Sequence, residues 1–103
     1  MKAFRHLLSL SLVALLTLLL TAGTNVTTVF VIGDSTAAEK SHPDTNPERG
    51  WGMVLQGFFD KNVRVENHAV NGRSSKSFID EGRWQKVLDR LKPGDYVLIQ
   101  LGH

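Results

Sequence analysis

The chain predicts an α/β fold built on a parallel sheet, and three observations carry the prediction. Apolar runs at residues 29–32 and 96–101, with an alternating run at 63–69, read as strands. Two apolar stripes at helical spacing lie between them, and each strand run gives way to a Gly or Asn-Gly step. The order strand, helix, strand, helix, strand requires crossovers, which are right-handed and place helices on the sheet faces.

Residues 1–23 stand apart from this plan. Lys2, Arg5 and His6 make a basic start, residues 7–20 are an apolar run, and Thr21-Ala22-Gly23 supplies small residues for cleavage. The run is shorter than the ~20 apolar residues of a spanning helix. The expectation is a signal peptide over 1–23, a mature domain over 24–103, and a secreted or periplasmic address. Without Lys2 and Arg5, ten basic residues balance ten acidic ones. That neutrality argues against a nucleic-acid partner, and no membrane association is expected after cleavage. The chain has no cysteine, so an exported domain must rely on its apolar core. About eighty residues make such a core marginal.

In the first strand, Val29-Phe30-Val31-Ile32 places four apolar residues in succession, as in a strand buried on both faces. Gly33 permits a sharp turn, so Asp34 and Ser35 land at the strand's carboxyl end, against a short helix expected over 36–40. A serine there lies near helix N-terminal amides that favour an oxyanion; equally, Asp34 or Ser35 is placed to cap that helix.

Residues 39–49 are polar, hold Pro43 and Pro47, and form a surface loop. Trp51, Val54, Leu55 and Phe58 follow with helical spacing, all four expected to pack. Gly50-Trp51-Gly52 lacks the third glycine and the preceding strand of a dinucleotide fingerprint.

Residues 63–69 alternate apolar and polar, the pattern of an edge strand or one with a solvated face. Residues 71–77 form a turn-rich loop in which Ser75, not glycine, precedes Lys76, so no nucleotide site is expected. Trp84, Val87, Leu88 and Leu91 define a helix that Pro93-Gly94 ends. Residues 96–101 are the third strand.

In an open parallel sheet the functional crevice lies outside the strands' carboxyl ends. Ser35, Asn71-Gly72 and Gly102-His103 follow the three strands, so they converge there. A hydroxyl beside an unobstructed glycine amide is the makeup of an acyl-transfer site. His103, at a strand end, could approach Ser35. His42 reads as a loop residue and His68 as a strand residue, with no metal-ligand spacing between them. Arg73, Ser74 and Lys76 either touch a partly acidic polymer or solvate the loop and start a helix.

These motifs resemble the GDSL or SGNH hydrolases: Gly33-Asp34-Ser35, Gly72 within Asn-Gly-Arg-Ser, and Gly102-His103. The blocks 32–36, 50–52, 72–78 and 95–103 look like the rhamnogalacturonan acetylesterase branch, in order and through nearly all of residues 24–103. The resemblance implies a flavodoxin-like three-layer α/β/α sandwich, of which this chain holds the first three strands. It further implies that Ser35 is the nucleophile of a carbohydrate O-acetylesterase. The backbone amides of Ser35 and Gly72 would stabilise the oxyanion, and no metal or organic cofactor would be needed. In that family a third oxyanion donor, an asparagine, follows the Gly-His pair, and the base is a histidine in a later Asp-x-x-His segment. Neither matches a residue here, and His103 occupies a variable position that carries no base role. The chain is therefore expected to be an amino-terminal part of the domain with little activity alone. Its partner would be an acetylated polysaccharide. The alternatives are a lipid acyl ester or thioester as substrate, or a non-catalytic binding role.

Overall fold

The computed structural model describes residues 25–102. The expected signal peptide over 1–23 and His103 lie outside the described residues. The elements run β1 (Thr27–Gly33), α1 (Trp51–Val54), a 3-10 turn η1 (Leu55–Phe58), β2 (Val63–Asn67), α2 (Ser75–Asp80), α3 (Arg83–Arg90) and β3 (Tyr96–Gln100). All strands pair in parallel, in the order β2-β1-β3. That is how a flavodoxin-like sheet begins: the chain moves outward from its first strand, then crosses to that strand's other side. In register, Val29 lies opposite Val65 on one side and Tyr96 on the other.

β1 is central because both of its faces are apolar. Phe30 and Ile32 face Phe78 of α2 and Val87 of α3, with Trp84, Val97 and Leu101 packed around them. Val31 points the other way, onto Ala37, Ala38 and Ala69, flanked by Trp51, Leu55 and Val65. The result is three layers, with α2 and α3 on one face and α1, η1 and the turn after β1 on the other. Phe30, Phe78, Val31 and Val87 are fully buried. Each such side chain stabilises the fold by roughly 1.5 to 3 kcal/mol of apolar transfer.

The helix expected over 36–40 is absent; residues 35–37 form a turn instead. The amides of Ala37 and Ala38 both donate to Asp34 O, at 3.1 and 3.0 Å, and the winding stops there. Its carbonyls have other partners. Thr36 O accepts Trp51 N and Ala37 O accepts Gly52 N, each at 3.0 Å, and Asn67 Nδ2 adds a second bond to Ala37 O at 3.0 Å. Tertiary donors thus occupy the acceptors that a longer helix would use.

The stripe beginning at Trp51 packs only in part. Trp51 and Leu55 meet the core, whereas Val54 is 43% and Phe58 80% exposed. For Phe58 the cause is the change of period: the chain tightens into η1 after one turn of α1, and three residues per turn carries Phe58 off the stripe. On α3, Val87 is buried and Trp84 packs beside it, but Leu88 and Leu91 stay exposed. Leu91 has already left the helix, with φ −68° and ψ 132°. β2 is an edge among the described strands, as its alternation predicts. Beyond Asn67 the ladder persists, because His68 N donates to Val31 O at 2.8 Å and Val70 N to Gly33 O at 3.0 Å.

Candidate active site

The three strand ends are joined by side chains. Asp34, 2% exposed, leaves β1 with its carboxylate turned back on the chain. Oδ1 accepts Thr36 N at 3.1 Å, fixing the turn that carries Ser35. Oδ2 accepts Gly102 N at 3.0 Å and so holds the segment after β3 against that turn. On the other side, the Lys40 ammonium donates to Ser35 O and, at 3.3 Å, to Asn71 Oδ1, spanning from the first loop to the second. Ser35 therefore stands between two loops that the sequence places more than thirty positions away.

Ser35 is exposed on its turn, and Gly72 is exposed on the loop after β2. Gly72 has φ +72°, a left-handed conformation costly to residues with a Cβ, and no heavy atom would lie within 4 Å of one built there. Nothing crowds that face of the backbone. Among the described residues, neither the Ser35 and Gly72 amides nor Ser35 Oγ makes a hydrogen bond. An exposed hydroxyl with two uncommitted amides at neighbouring strand ends has the components for attack on a carbonyl and for holding the oxyanion that results.

The turn rests on the Gly50-Trp51-Gly52 block. A Cβ on Gly50 would sit 2.6 Å from Ala37 C, and one on Gly52 would sit 2.6 Å from Ala37 O, so the backbones touch directly. Trp51 Nε1 reaches Gln100 Oε1 at 3.3 Å, and Asn67 Oδ1 accepts Ala69 N at 3.1 Å. Asp34, Lys40, Gly50, Gly52 and Asn67 were not singled out by sequence reading as site residues. The signals were present: an aspartate following a strand-ending glycine reads as an Asx turn, and paired glycines mark close backbone approach.

The other candidates have structural partners. Ser74 caps α2, its Oγ accepting Ser77 N at 3.2 Å, and Lys76 pairs with Asp80 along the same helix. Arg73 donates to Glu81 Oε1 at 2.8 Å and to Asn71 O at 2.9 Å, so it braces the loop before Gly72 against the end of α2. The Arg83 and Arg73 guanidinium groups hold the Glu81 carboxyl below the usual range. His68 bonds Glu66 at 3.2 Å with its ring 5.9 Å from that of Phe30, and His42 sits in the exposed loop with φ +54°. Among the described residues, no group of three His, Cys, Asp or Glu side chains is placed to hold a metal ion.

Comparison with known proteins finds relatives that are named as esterases. The chain is 45% identical over 75 residues to rhamnogalacturonan acetylesterase RhgT of Bacillus subtilis, a match covering 73% of this chain and 32% of that protein. It is 36% identical over 91 residues to the rhamnogalacturonan acetylesterase of Emericella nidulans, covering 88% of this chain and 34% of the relative. The crystal structure of the Bacillus subtilis protein YxiM superposes with a TM-score of 0.68 at 36% identity, over 77% of this chain and 22% of that one. The chain thus spans about a third of the length of these curated relatives. The model of the GDSL-like lipase/acylhydrolase family matches residues 29–103, and the chain belongs to that family.

Proposed function

We propose that the chain is the nucleophile-bearing part of a secreted serine esterase that removes O-acetyl groups from a pectin-type polysaccharide, rhamnogalacturonan. The observation that carries the reading is an exposed Ser35 hydroxyl with two unspent amides, its own and that of Gly72, on loops tied together by Lys40. The relatives named as rhamnogalacturonan acetylesterases support the choice of substrate. In the reaction, Ser35 Oγ loses its proton to a base and attacks the acetyl carbonyl carbon. The amides of Ser35 and Gly72 take up the negative charge, and the sugar oxygen leaves with a proton. Water then attacks the acetyl-serine, releasing acetate and restoring Ser35. The base and a further oxyanion donor belong to chain beyond His103, a reading supported by the matched stretch covering only about a third of each relative. The signal-like composition of residues 1–23 supports secretion, which amino-terminal sequencing of exported protein would test.

The test is hydrolysis of p-nitrophenyl acetate and acetylated rhamnogalacturonan by three proteins: the full-length hydrolase, its Ser35→Ala variant, and residues 24–103 alone. Ser35→Ala is expected to lose at least about a thousandfold in kcat. The isolated chain is expected to show little turnover, since one missing oxyanion donor alone costs ~3 to 4 kcal/mol and the base is missing as well. Undiminished turnover by Ser35→Ala would refute the assignment. A preference for octanoyl over acetyl esters would favour the lipid alternative.

A further inference from the structure

We propose that Lys40 is a positioning residue that sets the separation between the Ser35 nucleophile and the Gly72 amide, an inference that rests on the esterase reading above. The peptide group joining Ser35 to Thr36 is held at both ends by opposite charges. Its carbonyl accepts the Lys40 ammonium, and its N–H donates to the Asp34 carboxylate at 3.1 Å. A peptide plane gripped in this way cannot rotate freely, so the backbone that aims the Ser35 side chain is fixed.

The same ammonium also donates to Asn71 Oδ1 at 3.3 Å, one residue before Gly72. Among the described residues, Lys40 is thus a direct side-chain link between the loop bearing the nucleophile and the loop bearing the second amide. Arg73 braces the same loop toward α2, and Lys40 adds the tie toward Ser35; a Cβ built on Gly72 would meet no atom within 4 Å, and no hydrogen bond holds its amide among the described residues. Lys40 itself does no chemistry. A protonated ammonium has three donors and no lone pair, and two donors are spent on oxygens of the protein's own loops. Its contribution is geometric, and a shift of about 1 Å between reacting groups costs up to about a hundredfold in rate.

The test uses the full-length hydrolase with p-nitrophenyl acetate and compares Lys40→Met, Lys40→Arg, Asn71→Leu, the double variant Lys40→Met/Asn71→Leu, and Ser35→Ala. Lys40→Met is expected to lower kcat about 10- to 100-fold while KM stays within about twofold, with the thermal midpoint unchanged. Lys40→Arg keeps a cation with several donors and is expected to recover most of the loss. The double variant is expected to be no slower than the worse single one, because both substitutions cut one link. An unchanged kcat in Lys40→Met, additive losses in the double variant, or a midpoint that falls in step with kcat would overturn the proposal. The parent reading fails separately: it falls if Ser35→Ala turns over normally, whereas an inactive Ser35→Ala beside a normal Lys40→Met removes the Lys40 role alone.

Discussion

Asp34 shows most sharply what a single side chain does here. Buried and accepting the backbone amides of Thr36, inside the turn that carries Ser35, and of Gly102, after β3, it is the common anchor of the first and third strand ends. Asp34→Ala leaves those amides without acceptors, and the expected cost is about 2 to 4 kcal/mol, read as a lower urea midpoint. Gly50 acts through the space it leaves empty. In Gly50→Ala the new methyl group must displace the Ala38 carbonyl oxygen, its nearest neighbour, and the Ala37 backbone, which lies 2.6 Å away, at an expected ~1 to 3 kcal/mol. On the esterase reading proposed above, the full-length protein should lose kcat with it, since the displaced segment carries Ser35; normal kcat with normal stability would show that the turn relaxes elsewhere. Sequence reading reached Ser35 and Gly72 because a hydroxyl or a glycine at a strand end is chemically conspicuous. Asp34 stands in the Gly33-Asp34-Ser35 motif, but by its residue type it reads only as a cap, and Lys40 lies in a polar stretch that reads as surface.

At the level of elements, β2 and α3 are tied by a bidentate ion pair. Arg90 Nε reaches Glu66 Oε1 at 2.6 Å and Nη2 reaches Oε2 at 3.0 Å, with His68 Nε2 adding a contact at 3.2 Å. Burial raises the Glu66 carboxyl pKa, but the bonds from Arg90 and His68 outweigh burial and hold it below its ordinary value of 4.5. A carboxyl depressed on folding contributes stability that is complete above 4.5 and disappears as the pH falls through the lowered, folded value. Arg90→Ala should therefore be less stable than the parent by about 0.5 to 1 kcal/mol near neutrality, the small figure reflecting the half-exposed Arg90. Urea titrations should show that gap closing as the pH falls below 4.5 and through the lowered, folded value. A gap of constant size would mean that the arginine acts by packing. The strands and the helix of the Trp84 stripe were legible because their periods are local. The helix expected over 36–40 was not, since its fate depended on donors from Trp51, Gly52 and Asn67.

For the whole molecule, the sheet is covered on both faces around β1, whereas β3 pairs on one side only among the described strands. Tyr96 and Ile99 are each 64% exposed, and Ile99 joins Ile32, Phe78, Ile79, Trp84 and Leu101 around an apolar cleft of about 180 Å³. An uncovered apolar strand invites pairing with another chain. Residues 24–103 produced alone should run above monomer size in gel filtration, and Ile99→Lys should shift them toward monomer. A parent chain already monomeric at about 100 μM would contradict this expectation, because intermediates with exposed strand edges associate at micromolar to millimolar concentration.

The sequence by itself determined the three strands and their parallel pairing, a first strand buried on both faces, the helix of the Trp84 stripe, and the delivery of Ser35 and Gly72 to the same end of the sheet. These follow from apolar periodicity and from glycines at turns, both written within a few consecutive residues. Only the tertiary structure decided how that end is held together. Lys40 meets Asn71 across 31 positions and Asp34 meets Gly102 across 68, and a hydrogen bond depends on proximity in space rather than along the chain.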